Sequence, residues 1–254
     1  MPFEPVTSEK LSHGVVRQIE ELILRGVLSP GDRLPAERDL AERLAVSRPS
    51  LREALGALQE SGLLVARAGA GVFVADVLGS AFSPALIDLF ARHDRAVFDT
   101  LAFRRDMEGL AAERAARQGS DADLAVIAAI FARMEAGAGR DAEAEAALDA
   151  QFHLAIVEAG HNVVLLHMMR SMYDLLRGGV FYNRKAMFAR GGASEALLEQ
   201  HRAINEALQR RDAPGARAAV VAHLDRVEAA LVDQRRAAEN EAVARRRLQQ
   251  VSGG

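Results

Sequence analysis

From Leu11 the apolar positions fall at Leu11, Val15, Ile19, Leu22 and Ile23, the three-and-four spacing of one helical face. Gly26 and the turn Leu28-Ser29-Pro30-Gly31 end that helix. Pro35 opens a short second helix, Ala36 to Leu44, with Leu40, Ala41 and Leu44 facing inward. After a tight turn at Ala45-Val46, Ser47 N-caps a third helix. That helix carries Leu51, Ala54, Leu55 and Leu58 on one face and ends at Gly62. Two short helices joined by so brief a turn predict a helix-turn-helix. The β-prone runs Leu63–Arg67 and Val72–Val74, around the tip Ala68-Gly69-Ala70-Gly71, predict a hairpin wing.

Residues 76–83 (DVLGSAFS) carry little apolar content and read as a linker. Beyond them no alternating strand pattern occurs, and alanine-rich composition favours helix throughout. Breaks are expected at His93-Asp94, Gly119-Ser120, Gly137 to Gly139, Gly160-His161, Gly191-Gly192 and Pro214-Gly215. They divide the segment into about six or seven helices, and Gly178-Gly179 is placed to kink one of them. The expected fold class is mainly α. A winged helix-turn-helix with a small β-hairpin wing spans 8–76, and an all-helical bundle spans 84–236. A charged tail over 237–254 is expected to fray into disorder.

The 254 residues suffice for two cores, and 50% apolar with 26% charged residues is the balance of an ordinary soluble protein. No apolar run approaches the ~18 residues of a membrane span, and MPFEPVTSEK lacks the basic start and apolar stretch of a signal peptide. With no cysteine, a disulfide framework and a thiolate metal site are excluded; the expected location is the cytoplasm. Net charge is −3, and residues 1–78 hold nine Lys/Arg against eleven Asp/Glu, so a nucleic-acid reader must concentrate its positive charge on one face. Arg33, Arg38, Arg48, Arg52 and Arg67 are the residues available for it. Ser47, Arg48, Pro49, Ser50 and Arg52 open the third helix, where N–H groups and hydroxyls suit phosphates. An arginine there can bond the O6 and N7 edge of guanine. The plainer alternative is that these arginines solvate an amphipathic domain.

Asp149 and His153 lie four apart, one above the other on a helix. His201 and His223 lie on the next two expected helices beside apolar positions. One carboxylate and three imidazoles suit Zn²⁺, Ni²⁺ or Mn²⁺, with positions left for water or an anion. Buried histidines also occur as satisfied core residues, so the spacing leaves both options open. Arg104 stands one turn before Glu108: pointing inward it can clamp a carboxylate, pointing outward it forms a helix-surface pair. His161 and His167 read as packing residues.

PGDRLPAERDLAERLAVSRPSLREALGALQESGLL followed by GAGVFV closely resembles the signature of the GntR family of bacterial transcriptional regulators, over essentially all of residues 10–75. The resemblance implies DNA contacts from Arg38, Ser47, Arg48, Ser50 and Arg52, with Gly69 approaching the minor groove. Pro49 stands where some relatives carry a hydroxyl residue, which removes one hydrogen bond there. Phe103-Arg104-Arg105-Asp106-Met107-Glu108, DAQFHLAIVEAGHNVVLLHMMR, EQHRAINEAL and AHL resemble the helical FCD effector domain of the FadR/FCD subfamily. In its metal-binding members an Asp and three His hold the ion, and these places fall on Asp149, His153, His201 and His223. Arg104 takes the place of an effector-contacting arginine.

HNVVLLHMMR, AFSPALIDLF and RRRLQQ are similar to the branch that represses the pyruvate dehydrogenase complex or responds to lactate. That implies a repressor whose effector is a small 2-oxo or 2-hydroxy acid such as pyruvate, lactate or glycolate, chelating the metal. A dicarboxylate or sugar acid is the alternative within the family. The implied partners are double-stranded DNA bearing a palindromic operator, the acid, and a second copy in a homodimer; the protein is expected not to be an enzyme. A metal-dependent hydrolase built on the same four residues would need a general base, and neither H-E-x-x-H nor Gly-x-Ser-x-Gly occurs. A DNA-binding architectural protein with a structural helical domain would show no stabilisation by metal or acid.

Overall fold

The computed structural model of the protein describes residues 11–76, 86, 89–90, 92–137, 142–177 and 193–252. The chain divides into two compact units, residues 1–79 and 80–254.

The first unit contains α1 (Leu11–Leu24), α2 (Glu37–Arg43), α3 (Arg48–Glu60), β1 (Leu64–Arg67) and β2 (Gly71–Val74). Both α1 and α2 pack on α3, whose Leu51, Ala54, Leu55 and Leu58 are buried, the four positions expected from the spacing. Val15 and Ile19 of α1 complete this core with Leu64 and Val74 of the hairpin. Ser47 caps α3 by accepting a hydrogen bond from the Ser50 N–H at 3.3 Å, and Pro49 falls in the first turn, where no N–H is needed. The turn between α2 and α3 holds Ala45 at φ +52°, a left-handed conformation that costs a non-glycine residue energy. Closure by the Val46 N–H on the Ala41 carbonyl at 3.0 Å accompanies it. The strands pair antiparallel with Leu64 opposite Val74 and Arg67 opposite Gly71. Gly69 at the tip has φ +70°, which glycine adopts without steric cost. A bridge from Arg33 to Phe73, with the Leu34 N–H donating to the Val72 carbonyl at 2.9 Å, seats residues 33–34 along the other edge of β2.

The second unit contains α4 (Asp94–Gln118), α5 (Asp121–Gly137), α6 (Ala142–Ala159), α7 (Val163–Arg177), α8 (Ala193–Gln209) and α9 (Ala213–Ser252). Helix α4 packs against α9 and α6, α5 against α6 and α8, α8 against α9, and α7 against α6. Phe152, Ile127, Ile204, Leu208 and Val220 fill the middle of this bundle. Ser120 and Asp123 form a reciprocal capping box at the start of α5: the Ser120 N–H donates to Asp123 Oδ2 at 2.8 Å and the Asp123 N–H to Ser120 Oγ at 3.1 Å. Asn162 caps α7, accepting from the Leu165 N–H at 3.1 Å.

Two expectations are corrected. The break expected at Pro214-Gly215 lies earlier, at Arg211 with φ +54° and Asp212. Proline is compatible with a first helical turn, and Asp212 Oδ1 accepts the Gly215 N–H at 3.0 Å, so both residues belong to α9. The tail expected to be disordered is helical through Ser252. After Gly215 no glycine or proline interrupts it before residue 253, and Glu241 pairs with Arg245 one turn on at 2.6 Å. The expected linker beyond Asp76, the Gly178-Gly179 kink and the Gly191-Gly192 break lie outside the described residues. No described helix is long and apolar enough to cross a membrane.

Candidate DNA-contacting face and metal centre

In the first unit, Ser47, Arg48, Ser50 and Arg52 lie in the first turns of α3 and its cap, and Arg38 lies on α2. Ser47, Arg48 and Arg52 are exposed and Ser50 is half-buried. Arg52 reaches across to α2, its Nε 2.8 Å from Glu37 Oε2, and Arg38 Nε lies 3.4 Å from Asp39 Oδ1. Surface pairs of this kind contribute ~0–1 kcal/mol, so a phosphate can displace either acidic partner at little cost. The Ser47 and Ser50 hydroxyls are 2.9 Å apart. Arg67 lies over the Phe73 ring at 4.5 Å, fixing its stem on the wing, with Gly69 exposed at the tip.

In the second unit, Asp149 and His153 of α6, His201 of α8 and His223 of α9 converge. All four are buried, and each offers one ligand atom such that these atoms lie within 4.8 Å of one another. His201 Nε2 is 3.0 Å from Asp149 Oδ1 and 3.3 Å from His153 Nε2. The opposite nitrogen of each ring is held elsewhere. His153 Nδ1 lies 2.7 Å from Glu108 Oε2, His201 Nδ1 lies 2.8 Å from the Leu197 carbonyl, and His223 Nδ1 lies 3.0 Å from Gln200 Oε1. Each of these acceptors favours a proton on Nδ1, which leaves the Nε2 lone pair for the centre. Phe152, fully buried, meets the His153 and His201 rings edge-on at centroid distances of 5.8 and 5.3 Å. The donor set therefore fits a divalent cation of the borderline class, with an acceptor at each Nδ1 that favours the metal-binding tautomer.

Helix α4 supplies the support behind His153. Glu108 Oε1 accepts from Arg104 Nε at 2.7 Å, and both side chains are buried, 2% and 4% exposed. The pair between Arg104 and Glu108 forms, but inside the bundle and not on a helix surface. Burial alone would raise the Glu108 carboxyl, yet the Arg104 charge and the hydrogen bonds from Arg104 and His153 outweigh it and bring the pKa to about 2. His161 lies away from the cluster and pairs with Asp123 at 2.9 Å; His167 is half-buried on α7.

The profile of bacterial regulatory proteins of the gntR family matches residues 11–74, and that of the FCD domain matches residues 99–226. The chain belongs to the GntR family, in the branch that carries an FCD domain. A protein of Escherichia coli (strain K12) assigned to regulation of the L-lactate dehydrogenase operon is 38% identical over 86% of this chain and 85% of its own length. The Glc operon transcriptional activator of Escherichia coli (strain K12) is 37% identical over 77% of this chain and 79% of its own length. LutR of Bacillus subtilis (strain 168), an HTH-type transcriptional regulator, is 32% identical over 82% and 94%. Among solved structures, Streptococcus agalactiae GntR shares the fold at TM-score 0.52 and 22% identity, covering 85% of this chain and 98% of that one. The chain is thus a transcriptional regulator with a GntR helix-turn-helix, and not an enzyme.

Glu108 as the partner of His153, and Gln200 and the Leu197 carbonyl as partners of the other two rings, were not identified from the sequence. The EQHR stretch held part of the signal: Gln200 precedes His201, and a polar residue on the inner face beside a histidine is a candidate for orienting another ligand.

Proposed function

We propose that this GntR/FCD regulator is a homodimeric repressor whose operator affinity is set by a small carboxylate bound at a metal centre of Asp149, His153, His201 and His223. The observation that carries this is the convergence of one ligand atom from each of three imidazoles with one carboxylate, each imidazole also holding an acceptor at its Nδ1. A buried cluster serving only as core would gain nothing from three histidines and a carboxylate presenting ligand atoms to one point. A divalent ion held there supplies a Lewis-acidic anchor for a carboxylate and its adjacent oxygen. Arg104 adds a fixed cation for the acid, its Nε held by Glu108.

The acid class is a 2-oxo or 2-hydroxy acid such as pyruvate, lactate or glycolate. Support comes from relatives named for the L-lactate dehydrogenase operon and the Glc operon. A regulator named for the Uxu operon, 33% identical over 85% of this chain, favours keeping a sugar acid as the second option. Operator contacts are assigned to Arg38, Ser47, Arg48, Ser50 and Arg52, with Gly69 at the minor groove, two copies placing their recognition helices in successive major grooves. Acid binding at the bundle centre, where α4, α6, α8 and α9 meet, shifts these helices and so the spacing of the two DNA readers. Full reversal of occupancy requires the acid to favour one state by up to ~5.5 kcal/mol.

The test is His201→Ala, read by metal content after dialysis and by operator titration with and without acid. Loss of bound metal together with loss of the acid response, in a protein that remains folded, is expected. Unaltered metal content would remove His201 from the centre.

A further inference from the structure

The side of the bundle that holds Arg104 contains a buried hydroxyl that the metal centre does not use. Tyr173 of α7 is 6% exposed, and its hydroxyl is buried without a hydrogen bond of normal geometry. Its ring lies beside Arg104, whose Cζ is 5.7 Å from the ring centroid. Around it pack Met169, Leu165 and Leu166 of its own helix and Ala111 and Met107 of α4, an apolar wall with no competing acceptor among them. Burial first, and the neighbouring Glu108 carboxylate second, push the phenol well above its ordinary range, so it stays a neutral donor.

Buried hydroxyls are nearly always satisfied, because leaving one unpaired forfeits its interaction with water. Glu108 is the near acceptor, but its two oxygens also face Arg104 Nε and His153 Nδ1, each at 2.7 Å, and the phenol meets it only outside normal hydrogen-bond geometry. The phenol is therefore placed beside the Arg104 cation and the Glu108 carboxylate, in an apolar wall, without a hydrogen bond of normal geometry. That is the arrangement of a site that waits for an anionic acceptor from outside the chain. Tyrosine also suits this task because it brings a donor on a rigid stem with little entropy to lose.

We propose that Tyr173 is a ligand-contacting residue of the effector site, donating its hydroxyl hydrogen bond to the carboxylate of the acid that Arg104 also holds. This rests on the carboxylate-responsive function proposed above and adds to it a residue from α7, a helix that carries none of the assigned metal ligands. It makes α7 a direct sensor of occupancy: acid binding ties α7 to α4 through one shared carboxylate.

The experiment is Tyr173→Phe, which removes only the hydroxyl, in Zn²⁺-loaded full-length protein. Thermal shift and calorimetric titration are run with L-lactate, glycolate and pyruvate, and metal content is measured on the same samples. The expected result is an acid-free melting temperature equal to or above that of the natural protein, equal zinc content, and affinity for the binding acid lowered about ten- to hundred-fold. Acid affinity equal to that of the natural protein would overturn the proposal. So would a variant that loses zinc or stability while its zinc-loaded fraction binds acid normally, since the hydroxyl would then serve Glu108. If none of the three acids binds the natural protein, the ligand class proposed above fails, and this assignment fails with it.

Discussion

Replacing Glu108 by glutamine tests how the protein prepares its histidines. Glu108 accepts from Arg104 Nε and faces His153 Nδ1, both at 2.7 Å and both inside the bundle. At that distance two unit charges attract by about 6 kcal/mol if the effective dielectric constant is about 20. Burying the two ions costs several kcal/mol each, so the pair as a whole is close to balance. Deleting one partner is another matter: Glu108→Ala would strand a buried guanidinium at about 3–5 kcal/mol, against a domain stability of about 5–15 kcal/mol. Glutamine avoids that collapse while changing the chemistry. Its one carbonyl oxygen can serve Arg104 or His153, but not both. With the oxygen on Arg104, the amide N–H₂ faces His153 Nδ1 and favours a proton on Nε2, the nitrogen aimed at the centre. Losing such a supporting acceptor weakens metal binding about 10- to 100-fold, or about 1.4–2.7 kcal/mol. Competition against a chromophoric zinc chelator near neutral pH measures this directly, with circular dichroism to verify folding. A folded Glu108→Gln protein with the zinc affinity of the natural one would refute the tautomer argument.

Arg48→Ala should lower operator affinity about 10- to 100-fold and flatten the dependence of log K on log salt by about 1, with acid binding to the zinc-loaded protein unchanged. Anisotropy titrations at three salt concentrations check it; normal operator binding would remove Arg48 from the interface. Asp123→Ala should cost about 1 kcal/mol of stability by removing the carboxylate half of the α5 capping box. Burial raises the Asp123 carboxyl, but Ser120 and His161 outweigh that and hold it below its ordinary value. Its contribution is therefore present above the unfolded carboxyl value, about pH 4, and is lost as the pH falls through the folded one. Urea unfolding of both proteins across that range checks the sign, since a gap that widened in acid would contradict it.

Much of this arrangement was legible in the chain. Helical spacing at Leu51, Ala54, Leu55 and Leu58, a serine cap and a glycine-rich tip define the first unit because each signal is local. Asp149 and His153 were readable as neighbours for the same reason, one helical turn apart. His201 and His223 were assigned to the cluster through family resemblance, since nothing local tells which of three helices share a centre. The acceptors behind the rings were harder still. Glu108 serves His153 from a helix 45 positions away in the chain, and the Leu197 partner is a backbone carbonyl with no side-chain signature. The tail is helical despite its charge density because its alanine content and lack of breakers favour helix. The left-handed Ala45 carries no sequence mark, and tertiary closure of the α2–α3 turn determines it.

The most direct measurement is a fluorescence-anisotropy titration of the zinc-loaded protein on DNA from upstream of its own gene, with a genome-wide DNA selection supplying the site if that segment is not bound. It is run without acid and with pyruvate, L-lactate or glycolate, and repeated after chelation. Specific binding that one of the acids shifts at least tenfold, and that ceases to respond once the metal is removed, is the predicted result. Specific binding that none of the acids moves, with or without metal, would contradict it.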